Sequence, residues 1–253
     1  MTNRKEELGK EILAGLYDTH MILTWHRDKP DGWVMASGLW TPFYINLRLI
    51  SSASPDLYRK VADGFSLLLE EADFKPDGRT RVVGIAMAGV PLANAITLQY
   101  GIPSLYTRKL PETIRTREAI AEYTESHGHH ALVEGDMRSW DKLGIIDDLV
   151  TRFDSKVLAH TQLELEIERR GLTGIRAEDF FVLLDREQGG SQRAKELGYR
   201  MHSLIPFASK GLGWLRGTLS DIEYETISDY LNNPQKYQPP GIRKELKERA
   251  KPR

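Results

Sequence analysis

Short apolar runs of strand length alternate along this chain with helical patterns, and that alternation restricts the fold more than any other feature. The runs lie at 81–86, 104–107, from Leu143 to Ile146, at 180–184 and at 200–205. Helical patterns are predicted over 5–18, 55–73, from Pro91 to Gly101, over 155–170 and from about 190. On 55–73 the residues Leu57, Val61, Phe65, Leu68 and Leu69 fall on one face, with Pro55 near the start. Strands separated by helices imply an α/β fold with a mainly parallel sheet and right-handed crossovers. Residues 24–32 read as a turn-rich connector, and Trp33 to Ile50 as two extended segments around Ser37-Gly38. Residues 108–134 are polar and charged, and the tail from Asn232 carries Pro-Pro-Gly before a basic, helix-like end.

Within that frame, Leu143–Lys156 (LGIIDDLVTRFDSK) carries the most chemistry. An apolar run ends in adjacent carboxylates, Asp147 and Asp148. A hydroxyl-bearing loop from Thr151 to Ser155 follows, and a helix then begins. In open α/β sheets ligands bind at the carboxyl ends of strands. A loop entering a helix there offers backbone N–H groups and a positive dipole end to a phosphate. Paired carboxylates beside it can hold ribose hydroxyls or hydrated magnesium. The local chemistry is that of a sugar-phosphate site.

Other classes are disfavoured. The formal net charge of -1 gives no electrostatic case for bulk nucleic-acid binding. There is no cysteine, which excludes thiolate chemistry and is compatible with a cytoplasmic protein. No apolar run approaches the ~20 residues of a membrane span, and the first residues lack the apolar core of a signal peptide. No GxGxxG follows a strand, which argues against a dehydrogenase.

The motifs SGLWTPFYINLR (37–48), GVPLA (89–93), TRK (107–109), HG (127–128) with LVEG (132–135), IIDDLVT (145–151) and LLDREQGG (183–190) occur in one order. Together they resemble the orotate phosphoribosyltransferase family, over roughly residues 33 to 205. The resemblance implies a type I phosphoribosyltransferase-like sheet flanked by helices. It implies an N-terminal helix and hood segment over 1–50, a core over 51–230 and a basic tail over 231–253. It also implies transfer of ribose 5-phosphate from 5-phosphoribosyl 1-diphosphate (PRPP) to orotate with Mg2+, in a homodimer whose 108–134 loop completes the partner's site. Asp147 and Asp148 would then serve the ribose, and Thr151 and Ser155 the 5'-phosphate, with Arg152 between them as a residue of this chain that can contact the same phosphate. Arg108 and Lys109 would serve pyrophosphate, His127 would be the catalytic-loop histidine at the far side of the same loop, Arg186 would serve the carboxylate of the base, and Tyr44 and Ile45 its ring. On residue type alone, Arg108 and Lys109 read equally well as loop charges, and Arg186 as a surface partner of Glu187. His127, His129 and His130 read as solvated, and Trp33 and Trp40 as packing aromatics.

Three departures from the family pattern stand out: Phe153 with Asp154 in the 151–155 loop, the longer 108–134 loop, and Ala36. Phe153 replaces a glycine, although phenylalanine resists backbone conformations that glycine permits. Asp154 adds a negative charge near a phosphate, a repulsion of about 3 kcal/mol at ~6 Å and an effective dielectric near 20. The 108–134 loop is longer than the family's, with Glu125 where the family has a lysine and Arg115 or Arg117 as possible substitutes. Ala36 likewise replaces a lysine. These departures leave open a second reading: a phosphoribosyltransferase fold that binds PRPP or a nucleotide without efficient transfer, or with altered specificity.

Overall fold

The computed structural model describes residues 2–35, 38–126 and 132–251. The chain divides into two compact units, residues 1–57 with 206–253 and residues 58–205.

In the first unit α1 (Thr2–Asp18) is followed by β1 (Ile22–Thr24), β2 (Trp33–Val34), β3 (Trp40–Thr41), β4 (Phe43–Ile45) and the short α2 (Ile50–Ala53). Ile12, Leu13 and Leu16 of α1 are wholly buried, as their helical spacing predicts. The extended segments are much shorter than the 33–50 reading, and form two antiparallel pairs, β1 with β4 and β2 with β3. Trp33 stacks on Tyr44 with centroids 6.1 Å apart, and Trp40 stacks on Tyr237 at 6.5 Å.

The C-terminal part of this unit contains α8 (Leu212–Trp214), α9 (Asp221–Asn232) and α10 (Pro240–Arg249). Residues 206–230, expected with the core, belong here for an identifiable reason. Glu223, in the first turn of α9, is buried and accepts hydrogen bonds from Ser220 Oγ (2.7 Å), Ser220 N (3.0 Å), Tyr17 Oη (3.3 Å) and Thr24 Oγ1. Ser220 and Glu223 also form a capping box at the start of α9. The basic end is an ordered helix: Leu246 is buried, and its carbonyl accepts Trp25 Nε1 at 3.1 Å.

After α3 (Pro55–Glu71), the second unit runs β5 (Thr80–Gly84), α4 (Gly89–Tyr100), β6 (Ser104–Thr107), α5 (Arg117–Ser126) and β7 (Val133–Glu134). It continues through β8 (Lys142–Val150), α6 (Asp154–Arg169), β9 (Arg176–Asp185), α7 (Gly190–Glu196) and β10 (Arg200–Pro206). The six strands form one sheet in the order β10-β9-β8-β5-β6-β7. Pairings β5–β6, β5–β8 and β8–β9 are parallel, and β7 is an antiparallel edge strand on β6. The chain enters at β5, leaves toward β6, then returns to the other side of β5 as β8. The strand order therefore reverses between β5 and β8, and the crevice at their carboxyl ends is where an open α/β sheet binds ligands.

Candidate active site at the carboxyl ends of β5 and β8

Gly84 of β5 is in register with Ile146 of β8, so Asp147 and Asp148 follow directly past that pairing. Glycine is required beside them: a Cβ on Gly89 would lie 2.2 Å from the Ile146 carbonyl oxygen. That close approach brings the first turn of α4 against the acidic pair.

The two carboxylates differ. Asp147 is 7% exposed, and both its oxygens are occupied from within. Oδ2 receives the Lys156 ammonium at 2.6 Å, and Oδ1 accepts the Asp148 backbone N–H at 2.9 Å. Asp148 is partly exposed and accepts the Leu149 N–H at 2.7 Å. Burial, with the Asp147 charge beside it, pushes Asp148 up to about 7. Lys156 was not anticipated from sequence. One signal was available: Lys156, Ala159, Leu163 and Glu166 recur at core spacing and are all buried.

Strand β8 runs on to Val150, and α6 starts at Asp154. Phe153 immediately precedes the helix in the left-handed conformation, φ 72° and ψ 1°. It therefore adopts the backbone that glycine would supply. Its ring is 1% exposed and lies in the core, 4.8 Å from Phe180 and 5.8 Å from Tyr199. The aromatic ring is turned away from the loop rather than into it. Asp154 is ion-paired with Arg193 of α7, so its charge is partly offset. Thr151 is half-buried, and Arg152 and Ser155 are exposed.

Arg186 lies on the next loop, whose backbone N–H donates to the Val150 carbonyl at 3.0 Å. A Cβ on Gly190 would come within 2.8 Å of the Thr151 carbonyl oxygen. The loop carrying Arg186 is thus held directly against the Thr151 turn. Buried Asp185 closes it further, accepting Ser191 Oγ at 2.6 Å and the Glu187 N–H at 2.7 Å. Arg186 is itself 3% exposed whereas Glu187 is exposed, which removes the reading of Arg186 as a surface charge.

Arg108 and Lys109 sit exposed past the end of β6. The Arg108 backbone is clamped: its N–H donates to Leu132 O at 3.0 Å, and its carbonyl accepts Gln162 Nε2 at 2.8 Å. The other root is held by buried Glu166, which accepts the Leu132 N–H at 2.9 Å and is paired with Arg169 and Arg170. Between these roots the chain forms α5, whose Ile120 packs with Leu110 and Leu132 against Leu158 and Leu165 of α6. Arg117 pairs with Glu164 at 3.3 Å and Glu168 at 2.5 Å, while Arg115 is exposed. Tyr44 and Ile45 lie on β4 in the first unit; Ile45 is buried and the Tyr44 hydroxyl accepts Arg48 at 3.2 Å. His127 and Ala36 fall outside the described residues.

Adjacent carboxylates at a topological switch point, a short turn entering a helix and an arginine loop packed against that turn are the arrangement of the type I phosphoribosyltransferase fold. Solved structures agree on the fold. UMP synthase of Leishmania donovani superposes with a TM-score of 0.68 at 24% identity, over 88% of this chain and 42% of that one. An orotate phosphoribosyltransferase from Aeropyrum pernix superposes at 0.56, over 80% and 98%. No model of a protein family matches the chain. Among curated relatives, the orotate phosphoribosyltransferase of Staphylothermus marinus is 32% identical over 228 residues, 90% of this chain and 96% of its own length. That of Pyrobaculum islandicum is 30% identical over 199 residues, 78% and 89%. The chain belongs to the orotate phosphoribosyltransferase family. It spans only 34% of the bifunctional enzyme PyrF/PyrE of Nostoc and 35% of the uridine 5'-monophosphate synthase of Bos taurus, which it also matches.

Proposed function

We propose that the chain transfers ribose 5-phosphate from PRPP to N1 of orotate, releasing pyrophosphate and forming orotidine 5'-monophosphate. The observation that carries this reading is the inward turn of Phe153. With the ring in the core, the Thr151–Ser155 turn presents the first N–H groups of α6, and its hydroxyls, to a 5'-phosphate. Displacement of pyrophosphate builds positive charge on the ribose, which the partly exposed Asp148 carboxylate stabilises. Arg186, on the loop held against the same turn, suits a planar bidentate partner such as the orotate carboxylate. Arg108 and Lys109, past the end of β6, supply cations for pyrophosphate.

Among the described residues no group of three or more His, Cys, Asp and Glu forms a metal cage. Magnesium does not need one, since it binds through one or two carboxylates plus substrate phosphates. Asp148 fits that role, and the ion would neutralise charge on the departing pyrophosphate. We also propose a homodimer in which the Arg108–Lys109 loop serves the partner's site, and a cytoplasmic location, in keeping with the cysteine-free composition. Among the described residues no helix is long and apolar enough to cross a membrane.

The partly offset charge of Asp154 and the inward Phe153 weaken the grounds for a binding-only protein. The decisive measurement is steady-state formation of orotidine 5'-monophosphate from PRPP, Mg2+ and orotate. Turnover at ordinary enzyme rates supports transfer; none above an Asp148→Asn control overturns it in favour of ligand binding alone.

A further inference from the structure

Lys156 is 3% exposed. Burying an ammonium is costly unless it is paired and its hydrogen bonds are met. Here all three donors are engaged: Asp147 Oδ2 at 2.6 Å, the Leu149 carbonyl, and Ser155 Oγ at 3.4 Å. One side chain thereby joins the acidic pair, the last turn of β8 and the first turn of α6. The same contacts engage both oxygens of Asp147: Lys156 holds Oδ2 and the Asp148 N–H holds Oδ1. Asp148 is the more exposed of the two acids and is not in hydrogen-bond contact with Lys156.

We infer that the acidic pair is divided by Lys156: Asp147 and Lys156 form a neutral internal strut, and Asp148 alone faces the ribose. Lys156 is then a positioning residue. It fixes the Asp148 backbone through Asp147, and the Ser155 hydroxyl directly, without touching substrate. The inference rests on the phosphoribosyl-transfer reading above and assigns different work to two acids that sequence treats as equivalent.

A double-mutant cycle on the full chain tests it, with Lys156→Met, Asp147→Asn, their combination, and Asp148→Asn in both Lys156 backgrounds. Each kcat and PRPP KM is referred to folded protein measured by near-UV circular dichroism. Misplacing a reacting group by about 1 Å can cost ~100-fold in rate, so Lys156→Met is expected to lower kcat by about 10- to 100-fold. Asp147→Asn should do the same, because either change breaks the strut. The double variant, which removes both charges and is the one most certain to fold, should be no worse than the worse single variant. Asp148→Asn should lower kcat by at least about 100-fold whether or not Lys156 is present. Multiplying losses in the double variant, or an Asp147→Asn loss as deep as that of Asp148→Asn in the Lys156→Met background, would mean that Asp147 acts on substrate directly. Lys156→Met with unchanged kcat per folded molecule would reduce the lysine to a structural role. Either result overturns the division. Absence of turnover in the wild-type chain would instead overturn the phosphoribosyl-transfer reading itself.

Discussion

Phe153 offers a test in which two physical terms oppose one another and the structure sets both. The residue holds φ 72°, ψ 1° and is 1% exposed, with its ring against Phe180 and Tyr199. Truncating a fully buried phenylalanine to alanine costs about 3–5 kcal/mol. Alanine keeps the left-handed penalty of about 1–2 kcal/mol, because it retains a Cβ. Glycine relieves that penalty, and gives back about 0.5–1 kcal/mol through the greater entropy of its unfolded chain. Phe153→Gly, which restores the residue the family carries there, should therefore destabilise the protein by about 2–4 kcal/mol. Phe153→Ala should be worse by a further ~0.5–1 kcal/mol, reversing the usual order in which alanine is the safer substitute. For a chain of this size each kcal/mol moves Tm by about 2–4 °C. Thermal unfolding followed by circular dichroism should thus place wild type above Phe153→Gly, and Phe153→Gly above Phe153→Ala. At a temperature where all three are folded, the PRPP KM should change little, because the ring does not face the phosphate turn. A stabilised Phe153→Gly would show that the ring contributes no core packing, and an alanine variant more stable than the glycine one would show that the backbone there is not left-handed.

The remaining predictions concern charge. Burial alone would raise Glu223, but hydrogen bonds from Ser220 and Thr24 outweigh it and hold its carboxyl below the usual range. A carboxyl whose folded pKa is depressed contributes stability above its unfolded value, near 4.3, and loses it as pH falls through the folded value. In urea titrations across pH, wild type should exceed Glu223→Gln by about 1–3 kcal/mol at neutral pH, and that margin should close below about pH 4; a margin constant down to pH 2 would refute the assignment. Arg193→Ala should expose the Asp154 charge and raise the PRPP KM by about 5- to 10-fold, less than the unscreened repulsion implies because Asp154 is exposed. Asp154→Ala added to it should restore the KM, and a double variant as impaired as the single would show that Arg193 acts otherwise.

What the sequence determined by itself was local. The 3.6 and 2.0 periodicities marked most of the elements of residues 58–205, and strand 104–107 and the Gly101 helix stop were placed where they are found. Adjacent carboxylates after an apolar run pointed to the carboxyl end of β8, because that pattern is written in a few contiguous residues. The helix Asp221–Asn232 was missed even though its capping box, Ser220 with Glu223, is a readable signal. Tertiary structure alone decided the rest. It turned Phe153 into the core beside Phe180, paired Asp154 with Arg193, folded Arg117–Ser126 of the charged stretch back on α6 as a helix, and gave Asp147 to Lys156. Each of these depends on a partner brought up by a different strand or helix, or on the direction in which one left-handed residue aims its side chain. Residue type and spacing report how a segment meets its own solvent boundary. They do not report which distant group arrives there, and here that arrival decides the partner of Asp147 and the direction of the Phe153 ring.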